Sequence, residues 1–259
     1  VPAKVLGNNP WLELNGQYIM AFDWIDGRVL RYEECTTEHC RSIGRVLSKL
    51  HHLDTDMVDV DAAAVLTVPE NVWRGLVDRA RQSLSCWGLP CESLLQDVMR
   101  WSHLYENAVG QLSHRQVFSH RDLDFKNVIW SDRNVPYLID WESAGYVNPS
   151  EELMEVATSW SRGSQGTLNR HQFQAVIGGY LETGGTVDGP VLNAVYASLG
   201  SALGWLAYNM RRSLDEDTFA ADEQALGFNE VVRTVEQLRN FDEIGGDCAH
   251  WAEEVLNRH

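Results

Sequence analysis

Lysine is almost missing from this chain of 259 residues: Lys4, Lys49 and Lys126 are the only lysines among 21 cationic side chains, and 37 carboxylates leave a formal net charge of −16. A surface of that sign repels nucleic-acid phosphate and anionic lipid, which excludes non-specific nucleic-acid binding and electrostatic attachment to a membrane. The same field would draw in a cationic small molecule, although solvated carboxylates account for the charge without any ligand. Cysteine pairing motifs are missing too. Cys35, Cys40, Cys86, Cys91 and Cys248 are odd in number and contain no C-x-x-C, so reduced thiols and a cytoplasmic location are expected, with no leader-like segment. Zinc would need two paired ligand clusters, and His39-Cys40 is the only close His/Cys pair. Charge is absent over the 22 residues 189–210, about the length of a membrane span. Asn193, Ser198, Ser201, Asn209 and three glycines interrupt that run, while Leu192, Val195, Leu199, Leu203 and Leu206 recur at helical spacing. A helix buried in a globular core is the expectation.

What is present is mostly helical periodicity around two small β regions, an α+β chain with α predominant. Residues 11–25 read as a hairpin, because Asn15-Gly16 between apolar runs suits the positive φ of a tight turn. Ile43, Val46, Leu47, Leu50 and Leu53 mark a helix over 37–52, and further helical patterns cover 70–84 and 92–112. Between 116 and 145 the period changes: Val128-Ile129-Trp130 and 135–139 flank Ser131-Asp132-Arg133-Asn134, a second hairpin. Everything beyond is helical in pattern, with Ser150 placed to cap the first of those helices.

The second β region carries the chemistry. His120-Arg121-Asp122-Leu123 and, five residues after Asp122, Asn127 match the kinase catalytic-loop pattern H-R-D-L-x-x-x-N at every fixed position. Asp140 follows at the end of an apolar strand, where a kinase places its metal-binding aspartate. Phosphoryl transfer needs hard oxygen donors to hold Mg²⁺ against phosphates, for which Asn127 and Asp140 are suited. It also needs a carboxylate to take the acceptor hydroxyl's hydrogen bond or proton, for which Asp122 is placed. His120 reads better as a brace for the loop. Loop Asp and Asn residues usually satisfy backbone groups, but the coincidence of the whole pattern with a hairpin and a second strand-end Asp favours chemistry.

These residues resemble the aminoglycoside phosphotransferase and choline kinase group of small-molecule kinases. Tyr18 to Gly27 resembles that family's hinge strand, Gly44 to His51 its following helix with a Leu-His end, and Asn148-Pro149-Ser150-Glu151-Glu152-Leu153 its Asp-Pro-x-x-Asp-Leu segment. Arg121, where many members have Gly or Asn, and Glu152, where Asp is usual, depart from the pattern without removing a metal ligand. The resemblance implies a protein-kinase-like fold, ATP or GTP as donor, Mg²⁺, and a hydroxyl on a small molecule as acceptor, an aminoglycoside or related amino sugar first, choline-like amines, other sugars or alcohols as alternatives. The hinge backbone of Asp23 and Ile25 would meet the nucleotide base. Asp124, Glu151, Glu152 and Glu155, with the run Asp215-Glu216-Asp217, could offer carboxylates to a cationic acceptor, the run being equally a solvated helix start. Trp160, Trp205 and Tyr208 could face a sugar ring or an amine, although their spacing suits a core. A protein kinase is disfavoured, because Pro149-Ser150-Glu151 comes nine residues after Asp140, too soon for a peptide-binding activation segment.

No G-x-G-x-x-G precedes the hinge, and none of the three lysines falls where a phosphate-binding lysine would. Residues 1–27 are therefore expected to be remnant strands and hinge of a small lobe, and 28–259 a helical lobe with the catalytic loop and metal site in 116–145 and substrate-side helices in 150–259. The chain alone could then be an inactive lobe that binds a ligand or partner. An uncovered apolar hairpin would favour self-association through residues 1–25.

Overall fold

The computed structural model describes residues 4–5, 9–53, 67–83, 86–112, 114–163, 167–214 and 218–259. Asn15 and Gly16 both take positive φ (53° and 77°), the turn that their dipeptide favours, and join β1 (Leu12–Leu14) to β2 (Gln17–Ile19). All six strand residues are exposed. Trp11, Leu12, Leu14, Ile19 and Phe22 stand 41–54% open and Trp24 89%, so the hairpin has the uncovered apolar surface expected of it. The chain then passes Gly27, where a Cβ would collide with the carbonyl of Trp130, and Arg28 exchanges two backbone hydrogen bonds of 2.9 Å with Trp130. The segment after the hairpin is thereby tied to the second β region.

Helix α1 (Thr37–His51) starts at Thr36, whose hydroxyl accepts the His39 N–H, and buries Ile43, Gly44 and Leu47. It packs on α5 (Arg170–Glu182). A Cβ at Gly44 or at Gly179 would overlap the facing helix backbone, so the two glycines are what allow the close approach. Arg41 and Arg45 clamp Glu182 across the outer edge of that contact. Helices α2 (Glu70–Gln82) and α3 (Cys91–Val109) pair through Trp73, whose indole N–H donates to Ser102 at 3.0 Å. The second β region holds β3 (Val117–Ser119), β4 (Val128–Trp130), β5 (Pro136–Leu138) and β6 (Gly145–Val147), arranged as two antiparallel pairs, β3 with β6 and β4 with β5.

Four expectations change. The cap of α4 (Pro149–Ser161) is Asn148, not Ser150: proline prefers the first helical position, which moves the cap one residue before it, and Asn148 Oδ1 accepts from both Ser150 N and Glu151 N. The uncharged run 189–210 is two helices, α6 (Val191–Ala197) and α7 (Leu199–Leu214), broken at Ser198, and no helix among the described residues is long and apolar enough to cross a membrane. The two last apolar patterns merge into one long helix, α8 (Ala221–Leu256), against α7. Cys86 and Cys91 are joined in a disulfide instead of staying reduced. A turn with positive φ at both Cys86 and Trp87 folds the chain back and brings the two Cα atoms to 5.5 Å, within bridging range. The run Asp215-Glu216-Asp217 lies outside the described residues.

Candidate active site

The catalytic-loop motif folds as a bend, a single 3₁₀ turn (Phe125–Asn127), and β4. Asp124 caps the turn, its Oδ1 accepting Phe125 N at 2.7 Å and the Ser159 hydroxyl at 3.0 Å. That turn brings Asn127 back onto Asp122: the amide Nδ2 donates to the Asp122 carbonyl and to its Oδ2, each at 2.8 Å. With the amide nitrogen committed, the Asn127 carbonyl oxygen is the end left to act as a donor to a cation. Backbone bonds join this loop to the strand end that carries Asp140. Ile139 N donates to Asn127 O at 3.0 Å, and His120 Nε2 donates to Ile139 O at 2.9 Å. His120 is fully buried and packs 4.7 Å from the Trp141 ring. Lys126 Nζ lies 3.0 Å from Asp122 Oδ2, and the carboxylates of Asp122, Asp124 and Asp140 together raise its pKa, Asp122 most.

Arg121 and Asp140 both take φ of 61°, a left-handed conformation that disfavours side chains with a Cβ by about 1–2 kcal/mol. This is why glycine or asparagine suits position 121. What holds the arginine there is Glu152, buried to 2% exposure: Oε1 accepts Arg121 N–H at 3.0 Å and Oε2 accepts His51 Nε2 at 2.7 Å. His51 Nδ1 meets the Tyr180 hydroxyl at 2.8 Å, and burial raises the Tyr180 pKa, so this hydroxyl stays protonated and can donate. A neutral imidazole with its proton on Nε2 satisfies both ends of the chain from Tyr180 to Arg121. On the other side Trp160, stacked on Phe125 at 4.2 Å, donates its indole N–H to Leu123 O at 2.8 Å. Helices α1, α4 and α5 thus fix both flanks of Asp122.

In front of Asp122 is a small cavity of about 100 Å³, lined by Arg121, Asp124, Glu152, Glu155, Val156 and Ser159. Glu155, half-buried, has its pKa pushed up to about 8, chiefly by burial and then by Glu152, Glu151 and Asp122. Burial and Glu152 push Glu151 up to about 7, with Arg121 opposing. A positive charge placed in this cavity would lower the cost of ionising Glu155.

A model of the phosphotransferase enzyme family matches residues 3–185. The chain belongs to that family. Solved structures with the same fold include a spectinomycin phosphotransferase in complex with ADP and spectinomycin (TM-score 0.63, 16% identity, covering 96% of this chain and 75% of that one). Others are a choline/ethanolamine kinase family protein from Mesorhizobium loti (0.59, 14%, 93% and 77%) and an aminoglycoside phosphotransferase from Alicyclobacillus acidocaldarius (0.58, 14%, 96% and 75%). Comparison with curated proteins gives no match.

For a phosphotransferase, Mg²⁺ is the ion to test against these residues. Asn127 and Asp140 offer one amide oxygen and one carboxylate, hard donors that suit Mg²⁺ completed by phosphate and water. Among the described residues no group of three His, Cys, Asp or Glu forms a metal cage. Of the two residues expected to meet the nucleotide base, Asp23 is exposed and pairs with Lys4 at 2.6 Å, and Ile25 is half-buried. The structure brings Asp122, Asp124, Glu152 and Glu155 to one cavity, sets Glu151 beside Arg121, and commits both oxygens of Glu152 inside the protein. Ser159 and the Trp160 indole reach the loop from α4, and His51 and Tyr180 support it through Glu152; none of these roles had a signal in the catalytic-loop motif.

Proposed function

We propose that the protein transfers the γ-phosphoryl group of ATP or GTP to a hydroxyl of a small molecule, an aminoglycoside or related amino sugar, with choline-like amines and other sugars as the alternative acceptors. The observation that carries the reading is the Asp122 carboxylate held by Asn127 at the head of an acidic cavity. Asp122 would accept the acceptor hydroxyl's hydrogen bond and then its proton as the oxygen attacks phosphorus. Asn127 Oδ1 and the Asp140 carboxylate would hold Mg²⁺, which, when bound, neutralises charge on the phosphates. His120 keeps the two loops in register. The backbone of Asp23 and Ile25 would receive the nucleotide base, and Glu155 and Asp124 the acceptor's amino groups, with Glu151 tuning Arg121 behind them. The ADP-bound neighbour of the same fold supports a nucleotide donor.

A second reading, a lobe that binds ligand or partner without catalysis, is favoured by the scarcity of lysine: Lys4 is taken by Asp23 and Lys126 by Asp122. One experiment separates the two. The purified chain is given labelled ATP or GTP with Mg²⁺ and screened against aminoglycosides, amino sugars and choline, with Asp122→Ala alongside. Phosphorylated product that falls at least 100-fold in Asp122→Ala supports catalysis. Undiminished turnover in that variant refutes the role of Asp122, and acceptor binding without product supports the second reading.

A further inference from the structure

Two free thiols touch each other beside the catalytic loop and have no part in the site described above. Cys35 follows a 3₁₀ turn (Tyr32–Glu34), and Cys40 ends the first turn of α1. The backbone is held at both. Cys35 N–H donates to Tyr32 O at 3.2 Å, Cys35 O accepts from Gln172 Nε2 at 2.8 Å, and Cys40 N–H donates to Thr36 O at 3.1 Å. The two sulfurs meet at 3.5 Å without a bond between them. A disulfide needs about 2.05 Å, so forming one asks the sulfurs to close by about 1.5 Å.

Direct contacts join this pair to the catalytic loop. Trp160 is in the last turn of α4, so its carbonyl has no helical N–H four residues ahead to accept from. The thiols stand there instead, Cys40 Sγ 3.5 Å and Cys35 Sγ 4.0 Å from Trp160 O. The same Trp160 donates its indole N–H to Leu123 O and stacks on Phe125. Phe125 also meets the ring of Tyr32, three residues before Cys35, at 4.8 Å. The turn from Asp122 to Asn127 therefore rests on two aromatic side chains, one from each backbone segment that the thiols touch.

We propose that Cys35 and Cys40 are an oxidation site, closed to a disulfide by hydrogen peroxide, and that closure loosens the catalytic loop. Cys35 is 8% exposed and Cys40 fully buried, so a molecule as small as peroxide meets Cys35 first. Donation from the Cys40 thiol lowers the Cys35 pKa against the effect of burial, which favours the attacking thiolate. The Cys35 sulfur attacks one peroxide oxygen, the O–O bond breaks, and hydroxide leaves with the proton that Cys35 released, as water; Cys35 becomes a sulfenic acid. The Cys40 sulfur then attacks the Cys35 sulfur, the S–O bond breaks, and the oxygen leaves as a second water with the Cys40 proton. The two sulfurs together give up two electrons, and the peroxide takes them. Closure removes both S–H donors from Trp160 O and draws Cys35 toward Cys40, so both supports of Phe125 are disturbed.

The test treats the native full chain with hydrogen peroxide and digests it with trypsin in the absence of reductant. Cleavage after Arg31 and Arg41 releases one peptide that holds Cys35, Cys40 and no other cysteine. In wild type this peptide should become lighter by the two thiol hydrogens and regain its mass with dithiothreitol. In Cys40→Ser no second thiol resolves Cys35, which should be captured as the sulfenic acid by dimedone, and in Cys35→Ser the Cys40 thiol should stay reduced. Hydrogen exchange on oxidised wild type should show the amides of Leu123 to Asn127 exchanging roughly 5-fold faster, with those of α3 unchanged. A peptide that keeps both thiols, or that gains oxygen without bridging, overturns the site. So does oxidation of the fully buried Cys248 at the same rate, because the reaction would then belong to an opened chain. A bridge that leaves the protection of Leu123 to Asn127 unchanged overturns the link to the loop. None of these readouts uses turnover, so they stand whether or not the phosphotransfer reading does.

Discussion

Replacing Glu152 should separate the brace of the active site from the groups that face the ligand. In Glu152→Ala the His51 Nε2–H and the Arg121 N–H both lose their acceptor in a site that water does not reach. A hydrogen bond to a charged group is worth about 1.5–3 kcal/mol, and two are lost here. Arg121 would also keep its left-handed backbone without the bond that holds it. A loss of about 4 kcal/mol in unfolding free energy is expected, some 8–16 °C in Tm for a chain of this size. Glu152→Gln should lose only about 1 kcal/mol, because its amide oxygen can still accept Arg121 N–H. Its amide nitrogen can donate to His51 if the imidazole moves its proton to Nδ1, toward the Tyr180 oxygen. Urea unfolding at pH 7 followed by circular dichroism gives the stabilities, and initial rates on the best acceptor give kcat and KM. Asp122 follows Arg121 directly, so kcat should fall more than KM rises in Glu152→Ala. A Glu152→Ala protein within 1 kcal/mol of wild type with unchanged kcat would refute the reasoning.

Glu155→Gln tests the cavity's electrostatics. The folded Glu155 carboxyl holds its proton to about pH 8 and the unfolded one releases it near pH 4.5. Between those values the native state binds more protons, so wild-type stability falls as pH rises. The variant should match wild type near pH 4 and exceed it by a few kcal/mol at pH 9, and thermal melts showing a pH-independent difference would count against the burial of Glu155. The hairpin makes a separate forecast: we propose that residues 1–25 drive self-association, so light scattering should show mass rising with concentration. Leu14→Lys with Ile19→Lys should abolish that rise, and a wild-type chain monomeric at every concentration would end the idea.

Local signals in the sequence carried the parts of the fold that depend on local physics. Asn15-Gly16 specified its turn because both residues tolerate positive φ, and the stripe of Ile43 and Leu47 specified α1 because one face had to be buried. The fixed positions of the catalytic loop were legible for the same reason: Asp122, Asp124 and Asn127 interact within six residues of each other. Long-range contacts were not legible. Glu152 looked like one of several carboxylates available to a ligand, and only the approach of α1 shows that His51 claims it. Cys86 and Cys91 carried no redox motif, and their bridge depends on a turn with two residues in a conformation that neither favours. Ser198 gave no sign that it would end a helix, since the apolar spacing runs through it unbroken.

Helical spacing tells which side chains share a face, and it does not tell whether that face is covered. On α4, Glu152, Glu155 and Ser159 stand at i, i+3 and i+7 inside a helix whose other faces are largely buried, so a polar stripe is present in the sequence as plainly as an apolar one. On α7 the same spacing joins Ser201, Trp205 and Tyr208, and there an aromatic stripe suggested a core that the structure leaves open. A helix that buries its polar stripe against a catalytic loop, beside one that exposes its aromatic stripe, is the reverse of what burial alone would select.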